Sequence, residues 1–344
     1  MYIGFYNFYD VYNKNKMFNS PASTLGNDLM YSFYYLGQKF IEQGCRISTI
    51  DLEEDISIFN AVIFIDFPTL KNNYFKRLID IGFNNLYLIT MEPYMTKSDN
   101  WNKSNHKYFK KIFTWNDAFV DGQKYFKINY SYKIPKNVNF DINKKEKLCT
   151  IIAGNKYRSS PIELYSERIK AIRWFEKNHP EDFDLYGLGW GRYQFKGIFS
   201  KLNKYEYLKS LFNVYFPSYR GAILSKKDVL EKYKFSICYE NEKEMPGYIT
   251  EKIFDCFFSG CVPVYLGAPN IENHISKNTF IDKNEFKNYE ELYEYISSMS
   301  DDKYNQFLSD IKSFINSSRI KKFSVEYFAD TIITETLRDL STKL

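Results

Sequence analysis

No stretch of this 344-residue chain stays apolar for the ~18 residues that a bilayer-crossing helix needs, so no membrane-spanning helix is expected. Cysteine is scarce and scattered. Cys45, Cys149, Cys238, Cys256 and Cys261 are odd in number and lie mostly in apolar runs, which suits buried thiols in a reducing compartment and not a disulfide framework. Cys256 and Cys261 are the nearest pair, without a CxxC spacing or a histidine beside them. The three histidines, His106, His179 and His274, show no ligand spacing either, so a zinc site is not expected. Charge of one sign is also missing: 47 Lys and Arg face 42 Asp and Glu, a net +5. That bias is too mild and too dispersed for a nucleic-acid surface, though it favours anionic small molecules or an anionic membrane. Neither a solenoid-length repeat nor a C-terminal heptad array is present.

What the chain does have is alternation. Short apolar runs at Tyr2–Tyr6, Arg46–Ile50, Ala61–Ile65, Leu86–Thr90 and Lys111–Trp115 read as strands, separated by helical patterns at Thr24–Gln43 and Leu70–Ile81 that stop at Gly44 and Gly82. Strands alternating with helices predict α/β architecture on a mainly parallel sheet. A Lys/Asn-rich stretch, Tyr132–Lys147, reads as a linker. Beyond it the pattern resumes, with strands at Leu148–Ala153 and Phe183–Tyr186 and a helix at Pro161–Lys177. Three C-terminal helices are expected at Tyr289–Met299, Lys303–Asn316 and Ser324–Leu340, the last only weakly amphipathic. The length exceeds the ~250–300 residues at which single cores usually divide, so two domains are expected: 1–140, and 148–325 followed by a terminal helix, 326–344, that packs back on the first domain.

Phe235–Gly267 is the most informative stretch. Phe235–Tyr239 reads as a buried strand, Glu240 and Asn241 end it, and Pro246-Gly247 turns the chain. Thr250 stands where a helix N-cap belongs, with Glu251 in the first turn; Gly260 closes the helix and Val262–Leu266 is the next strand. The loop thus lies at a strand's carboxyl end, where open α/β sheets bind ligands. Helix-start N–H groups and Lys252 suit an anion such as a nucleotide diphosphate. Glu251 can accept from ribose or sugar hydroxyls, and Asn241 and Tyr248 can donate to phosphate oxygens.

Tyr239-Glu240-Asn241, Gly247-Tyr248-Ile249-Thr250-Glu251-Lys252 and Gly260-Cys-Val-Pro-Val-Tyr-Leu-Gly267 together closely resemble the donor-binding signature of the α-1,3/1,4-fucosyltransferases, glycosyltransferase family 10. The resemblance implies a GT-B fold, two Rossmann-like domains facing a cleft, GDP-fucose as co-substrate and no obligatory metal or other cofactor. It also implies an inverting reaction on an oligosaccharide or glycolipid acceptor, with α-1,3 linkage to a bacterial surface glycan or lipopolysaccharide O-antigen. With no signal peptide or Golgi-type anchor in view, such an enzyme is expected in the cytoplasm or peripherally on the inner face of its membrane.

The same resemblance directs attention to a glutamate in the first domain as general base. Glu92, between Met91 and Pro93 after a strand, fits; Asp66, also at a strand end, is its rival, and Asp10 and Glu53 stand further off. Arg168, on the helix after Ile152-Ala153-Gly154-Asn155, matches the arginine that neutralises the diphosphate. Arg158 in the preceding loop competes for that role, and Asn155 could support the site. Gly187-Leu-Gly-Trp-Gly191 reads as a turn and not a phosphate loop. Two other readings remain: transfer of another GDP-activated deoxy- or amino-sugar, and a non-catalytic nucleotide- or glycan-binding protein.

Overall fold

The computed structural model describes residues 1–19, 30–138, 140–212 and 214–341, and the chain divides into two units. The first comprises Met1–Ile134 and the chain from Ser318 onward; the second is Pro135–Ser317. The sequence reading placed a linker from Tyr132, but Tyr132 is tied to the C-terminal segment: its N–H donates to Phe323 O (2.8 Å) and its carbonyl accepts from Val325 N–H (3.2 Å).

In the first unit six strands form an all-parallel sheet in the order β2-β1-β3-β4-β5-β6. They are β1 (Tyr2–Asn7), β2 (Arg46–Thr49), β3 (Ala61–Ile65), β4 (Leu86–Thr90), β5 (Lys111–Thr114) and β6 (Tyr125–Lys127). β3 and β4 are buried at every position because both sheet faces are covered, and only Thr90 interrupts their apolar run. The period-two alternation sends Ile63, Ile65, Tyr87 and Ile89 into one core and Val62, Phe64, Leu86 and Leu88 into the other. Helix α1 (Tyr31–Glu42) covers the first of these faces; the expected start of this helix at Thr24 lies outside the described residues.

Helix α6 (Val325–Ser341) packs on α1 through Phe328 against Phe33, ring centroids 5.7 Å apart. It is pinned electrostatically as well. The buried Lys111 ammonium donates to Glu335 Oε2 and Asp339 Oδ1, both at 2.9 Å. The apolar side of this last helix is therefore consumed inside the first unit.

The second unit carries a five-stranded parallel sheet, order β11-β10-β9-β7-β8. Its strands are β7 (Lys147–Ile152), β8 (Phe183–Tyr186), β9 (Tyr233–Tyr239), β10 (Val262–Leu266) and β11 (Ile281–Asp282). Helix α3 (Tyr165–Asn178) follows β7, α4 (Glu251–Phe258) joins β9 to β10, and α5 (Asp301–Ile315) lies near the end. In the first unit α2 (Asn73–Asp80) follows β3 and is capped by Asn72, whose side chain accepts from Phe75 N–H.

Each sheet has one place where successive connections leave in opposite directions: between β1 and β3 in the first, between β7 and β9 in the second. Such switch points open a crevice at the strands' carboxyl ends. The candidate residues collect at these two places.

Candidate active site

At the β7/β9 switch point the central side chain is Glu240, which the sequence reading passed over as a strand-ending polar residue. It is fully buried. Its Oε1 accepts from Thr250 N–H (2.7 Å), and its Oε2 accepts from the Thr250 hydroxyl (2.7 Å) and the Lys252 ammonium (3.0 Å). Thr250 does occupy the N-cap position of α4, as expected, but its hydroxyl makes no capping bond: it donates to Glu240 and accepts from Lys252. A buried carboxylate is tolerated only when paired and hydrogen-bonded, and here both conditions hold. Gly267 makes room for it: a Cβ there would lie 2.5 Å from Glu240 Cγ and 2.6 Å from the Tyr265 hydroxyl.

Lys252 also donates to the Thr250 hydroxyl (2.8 Å). Burial works against its charge, but Glu240 and Glu251 outweigh that and raise its pKa. Glu251 is desolvated too, yet Lys252 and Lys226 bring its pKa down to about 2, so it is ionised at neutral pH. Lys226 is a second residue the sequence did not signal. It reaches Asp255 at 2.7 Å and Glu251 at 3.8 Å, bringing a cation to α4 from an exposed-looking lysine pair upstream.

Arg168 is buried on α3. Its Nη2 donates to Tyr239 O (2.6 Å) and Asn241 Oδ1 (3.0 Å), and burial lowers its pKa. Asn241 in turn donates to the Tyr248 hydroxyl at 3.4 Å. Tyr248 is buried and enters through a turn with Pro246 and Gly247 at its centre, Gly247 having φ +81° and Tyr248 N–H returning to Met245 O. Positive φ at the second central position is what a type II turn needs. Arg168, Lys226, Lys252, Cys238 and Ala153 line a cavity of about 30 Å³, room for little more than a water molecule. A nucleotide cannot enter it; the cavity marks a cationic floor. Arg158, the competing arginine, stands exposed in the loop before α3.

Asn155 has a bracing position. Its Nδ2 donates to Gly189 O (3.1 Å) and Arg192 O (3.0 Å), fastening the Gly187–Gly191 turn to the end of β7. Gly187, at φ +129°, presses on Ala153 O so closely that a Cβ would sit 2.0 Å from it, and Trp190 Nε1 donates to the same carbonyl (2.7 Å). This is the turn expected from sequence, and its contacts are with protein backbone. On the opposite, amino edge of this sheet, ligand-type atoms of His179, Glu181 and Asp182 lie within 4.8 Å of one another just before β8. There the His179 ring stacks on Tyr293 at 3.5 Å and the Tyr293 hydroxyl donates to Asp182 (2.7 Å), contacts that already account for the cluster.

In the first unit, Tyr9, Asp66 and Glu92 come together from the carboxyl ends of β1, β3 and β4. The Tyr9 hydroxyl donates to Glu92 Oε1 at 2.7 Å. Burial, then the charge of Glu92, push the Tyr9 phenol pKa up, so it remains a neutral donor. Asp66 is buried with φ +61°, and its Oδ1 accepts from the N–H groups of Met91 (2.8 Å) and Glu92 (3.0 Å) and from Asn100 Nδ2 (2.6 Å). Desolvation and the nearby Glu92 raise its pKa to about 6. Met91 O accepts from Trp115 Nε1 (2.9 Å) and from the Tyr130 hydroxyl. The backbone at residues 91 and 92 is thereby fixed from several sides while the Glu92 carboxylate remains half-exposed.

Asp66, the rival base, thus spends its carboxylate on the backbone beneath Glu92. Glu53 bonds the Tyr2 hydroxyl at the start of β1, the opposite edge of the sheet, and Asp10 is exposed in the loop after β1.

Comparison with known proteins bears on these arrangements. Residues 196–330 match the model described as glycosyltransferase family 10 (fucosyltransferase) C-term. The Helicobacter pylori alpha-(1,3)-fucosyltransferase FucT is 38% identical over 74 residues, 22% of this chain and 15% of that protein, so only a small part of the relative's length is spanned. A solved α1,3-fucosyltransferase aligns with TM-score 0.56 at 15% identity, covering 98% of this chain and 90% of that one. One solved with GDP-fucose aligns with TM-score 0.53 at 15% identity, covering 96% and 90%. At that identity the structural likeness speaks for the fold, which is GT-B, built here from two parallel-sheet α/β units. Over residues 196–330 this chain is thus similar to glycosyltransferase family 10, the fucosyltransferases.

Proposed function

We propose that the chain transfers L-fucose from GDP-fucose to a hydroxyl of an oligosaccharide or glycolipid acceptor, with inversion. The observation that carries this is the cationic floor at the β7/β9 switch point, where Lys252 and Arg168 are held by Glu240, Asn241 and the Tyr239 carbonyl. The diphosphate lies over that floor at the start of α4. Lys252 and Arg168 stabilise the charge that grows on the β-phosphate oxygen as the bond to the anomeric carbon breaks. Glu92 accepts the acceptor hydroxyl's proton as its oxygen attacks that carbon. A β-linked donor gives an α-linked product in this single displacement, and GDP leaves. α-1,3 linkage and a surface-glycan acceptor, such as lipopolysaccharide O-antigen, complete the reading. The charge is carried throughout by side chains of the chain, and GDP-fucose is the co-substrate.

The second reading, transfer of another GDP-activated deoxy- or amino-sugar, shares every residue of this site and differs only in the sugar pocket. A panel of GDP-sugars assayed for transfer to arrayed glycans separates them. Turnover with GDP-fucose supports the proposal; turnover confined to another GDP-sugar selects the second reading. GDP binding without turnover of any donor, unchanged by Glu92→Gln, marks a binding protein and defeats both.

A further inference from the structure

A third of the exposed large apolar side chains among the described residues fall within the twenty residues 193–212, in the second unit. Single exposed apolar residues need no explanation, but this concentration does. The segment runs through a 3-10 helix, Gly197–Lys204, and a short α-helix, Glu206–Ser210. Ile198 is 87% exposed, Phe199 60% and Tyr207 73%, with Tyr205, Leu211 and Phe212 also exposed.

The platform beneath them is built. Asn203 exchanges two 2.8 Å hydrogen bonds with the backbone of Phe195, and Gly197 N–H donates to the Tyr157 hydroxyl at 3.0 Å. The Tyr193, Phe195 and Phe212 rings pack together at 5.1–5.9 Å. Charge is just as uneven. Between residues 188 and 212 stand five basic residues, Arg192, Lys196, Lys201, Lys204 and Lys209, and a single carboxylate, Glu206, which Arg192 and Lys209 share. Lys196, Lys201 and Lys204 are exposed among the aromatics.

We infer that residues 193–212 form a docking surface for an anionic lipid membrane. Lysines interleaved with Phe, Tyr, Ile and Leu on a short helical segment is the composition of an interfacial element, with apolar tips entering the headgroup boundary and ammonium groups meeting lipid phosphates. A second copy of the chain fits poorly: paired on itself, the surface would set like charges together, and interface cores are depleted in lysine. Single-stranded nucleic acid fits poorly as well, because the most exposed residue, Ile198, has no π-face on which a base could stack. The last helix does not offer this surface, since its apolar side is packed on α1. The inference is independent of the donor sugar.

The test is cosedimentation of the full chain with phosphatidylcholine vesicles and with vesicles that also contain phosphatidylglycerol, across a salt series. The expected result is sedimentation with the anionic vesicles only, weakening with salt. Lys201→Glu/Lys204→Glu should lower the partition coefficient about tenfold or more, and Ile198→Ser/Phe199→Ser should lower it at low salt too. Both variants should keep wild-type GDP binding, which shows that they are folded and separates this test from that of the proposed activity. Absence of sedimentation with either vesicle, or sedimentation unaltered in both variants, overturns the inference. So does a dimer in sedimentation velocity that Ile198→Ser/Phe199→Ser dissociates, or displacement from anionic vesicles by oligonucleotide at equal charge.

Discussion

The two switch points solve different problems with the same sheet topology. In the second unit the charged side chains themselves are immobilised: Glu240 is fully buried, Lys252 is held by two oxygens and Arg168 by two more. In the first unit it is the backbone that is immobilised, and the side chain at its tip, Glu92, accepts a bond from the Tyr9 hydroxyl. On the proposed reading, the fixed constellation serves a diphosphate, which presents the same charges at every turnover. A general base has to follow a proton from an approaching hydroxyl, and a fixed anchor under an accessible carboxylate suits Glu92 to that proposed role.

The largest effect expected from breaking this contrast is at Glu92. Glu92→Gln should lower kcat by roughly 10²–10⁴-fold, the usual contribution of a positioned base, with GDP affinity and melting temperature near wild type. Steady-state kinetics alongside calorimetric GDP titration checks this. A variant that retained full turnover would remove Glu92 from the proposed role.

Glu240→Ala should show the reverse signature. Removing the nearer partner of a buried pair leaves Lys252 to Glu251 at 3.7 Å, which costs up to about 3–5 kcal/mol of stability. Urea unfolding measures that loss, and GDP binding should weaken with it because Lys252 and Thr250 lose their common acceptor. If stability moved by less than 1 kcal/mol, roughly what an exposed pair contributes, the pair would not be the buried one described here.

Asp66 gives the comparison a pH axis. Its pKa is raised from 3.8 to about 6 in the folded chain, so the native state binds this proton more tightly than the unfolded state does. Stability from this group is therefore present below pH ~4 and lost as pH rises towards ~6, by about 3 kcal/mol at most. Asp66→Asn should remove that slope, read as the difference between wild-type and variant melting temperatures across pH 4–7. Because Glu92 contributes to the shift, Glu92→Gln should shrink the slope without abolishing it. Parallel wild-type and Asp66→Asn profiles would rule out the raised pKa.

What the sequence disclosed follows from chain distance. From Tyr239 to Gly267 the donor loop is one uninterrupted strand–loop–helix–strand, so its turn, N-cap position and cationic helix start could all be read from neighbours. The strands at Ala61–Ile65, Leu86–Thr90, Phe183–Tyr186 and Val262–Leu266 are equally plain, because strands covered on both faces read as short, mainly apolar runs. Glu240 lies inside the same motif, yet its neighbours in sequence give no sign of its burial. A carboxylate is normally a surface group, and only the return of Thr250, Lys252 and Gly267 to its side makes burial tolerable. Lys226 and Tyr9 lie beyond local pattern altogether, since each meets its partner across a separate strand or helix. Asp66 is visible at its strand end as a rival base, but its hold on the Met91 and Glu92 N–H groups appears only across strands. The short strands β6 and β11 were missed for a simpler reason: two or three residues, partly exposed, carry no period.

Tyr9 supplies the finest test, because it separates the backbone anchor from the side-chain bond at the same carboxylate. Tyr9→Phe removes one hydroxyl and leaves the ring, so the 91–92 backbone bonds to Asp66, Trp115 and Tyr130 persist. The lost bond is a charge-assisted one on a half-exposed group, which limits the effect on kcat to about tenfold or less. Steady-state kinetics separate the outcomes. A lowered kcat at unchanged KM and unchanged GDP affinity fits a bond that orients Glu92 for the acceptor hydroxyl, whereas wild-type kcat would mean that the phenol does not donate to Glu92 during turnover.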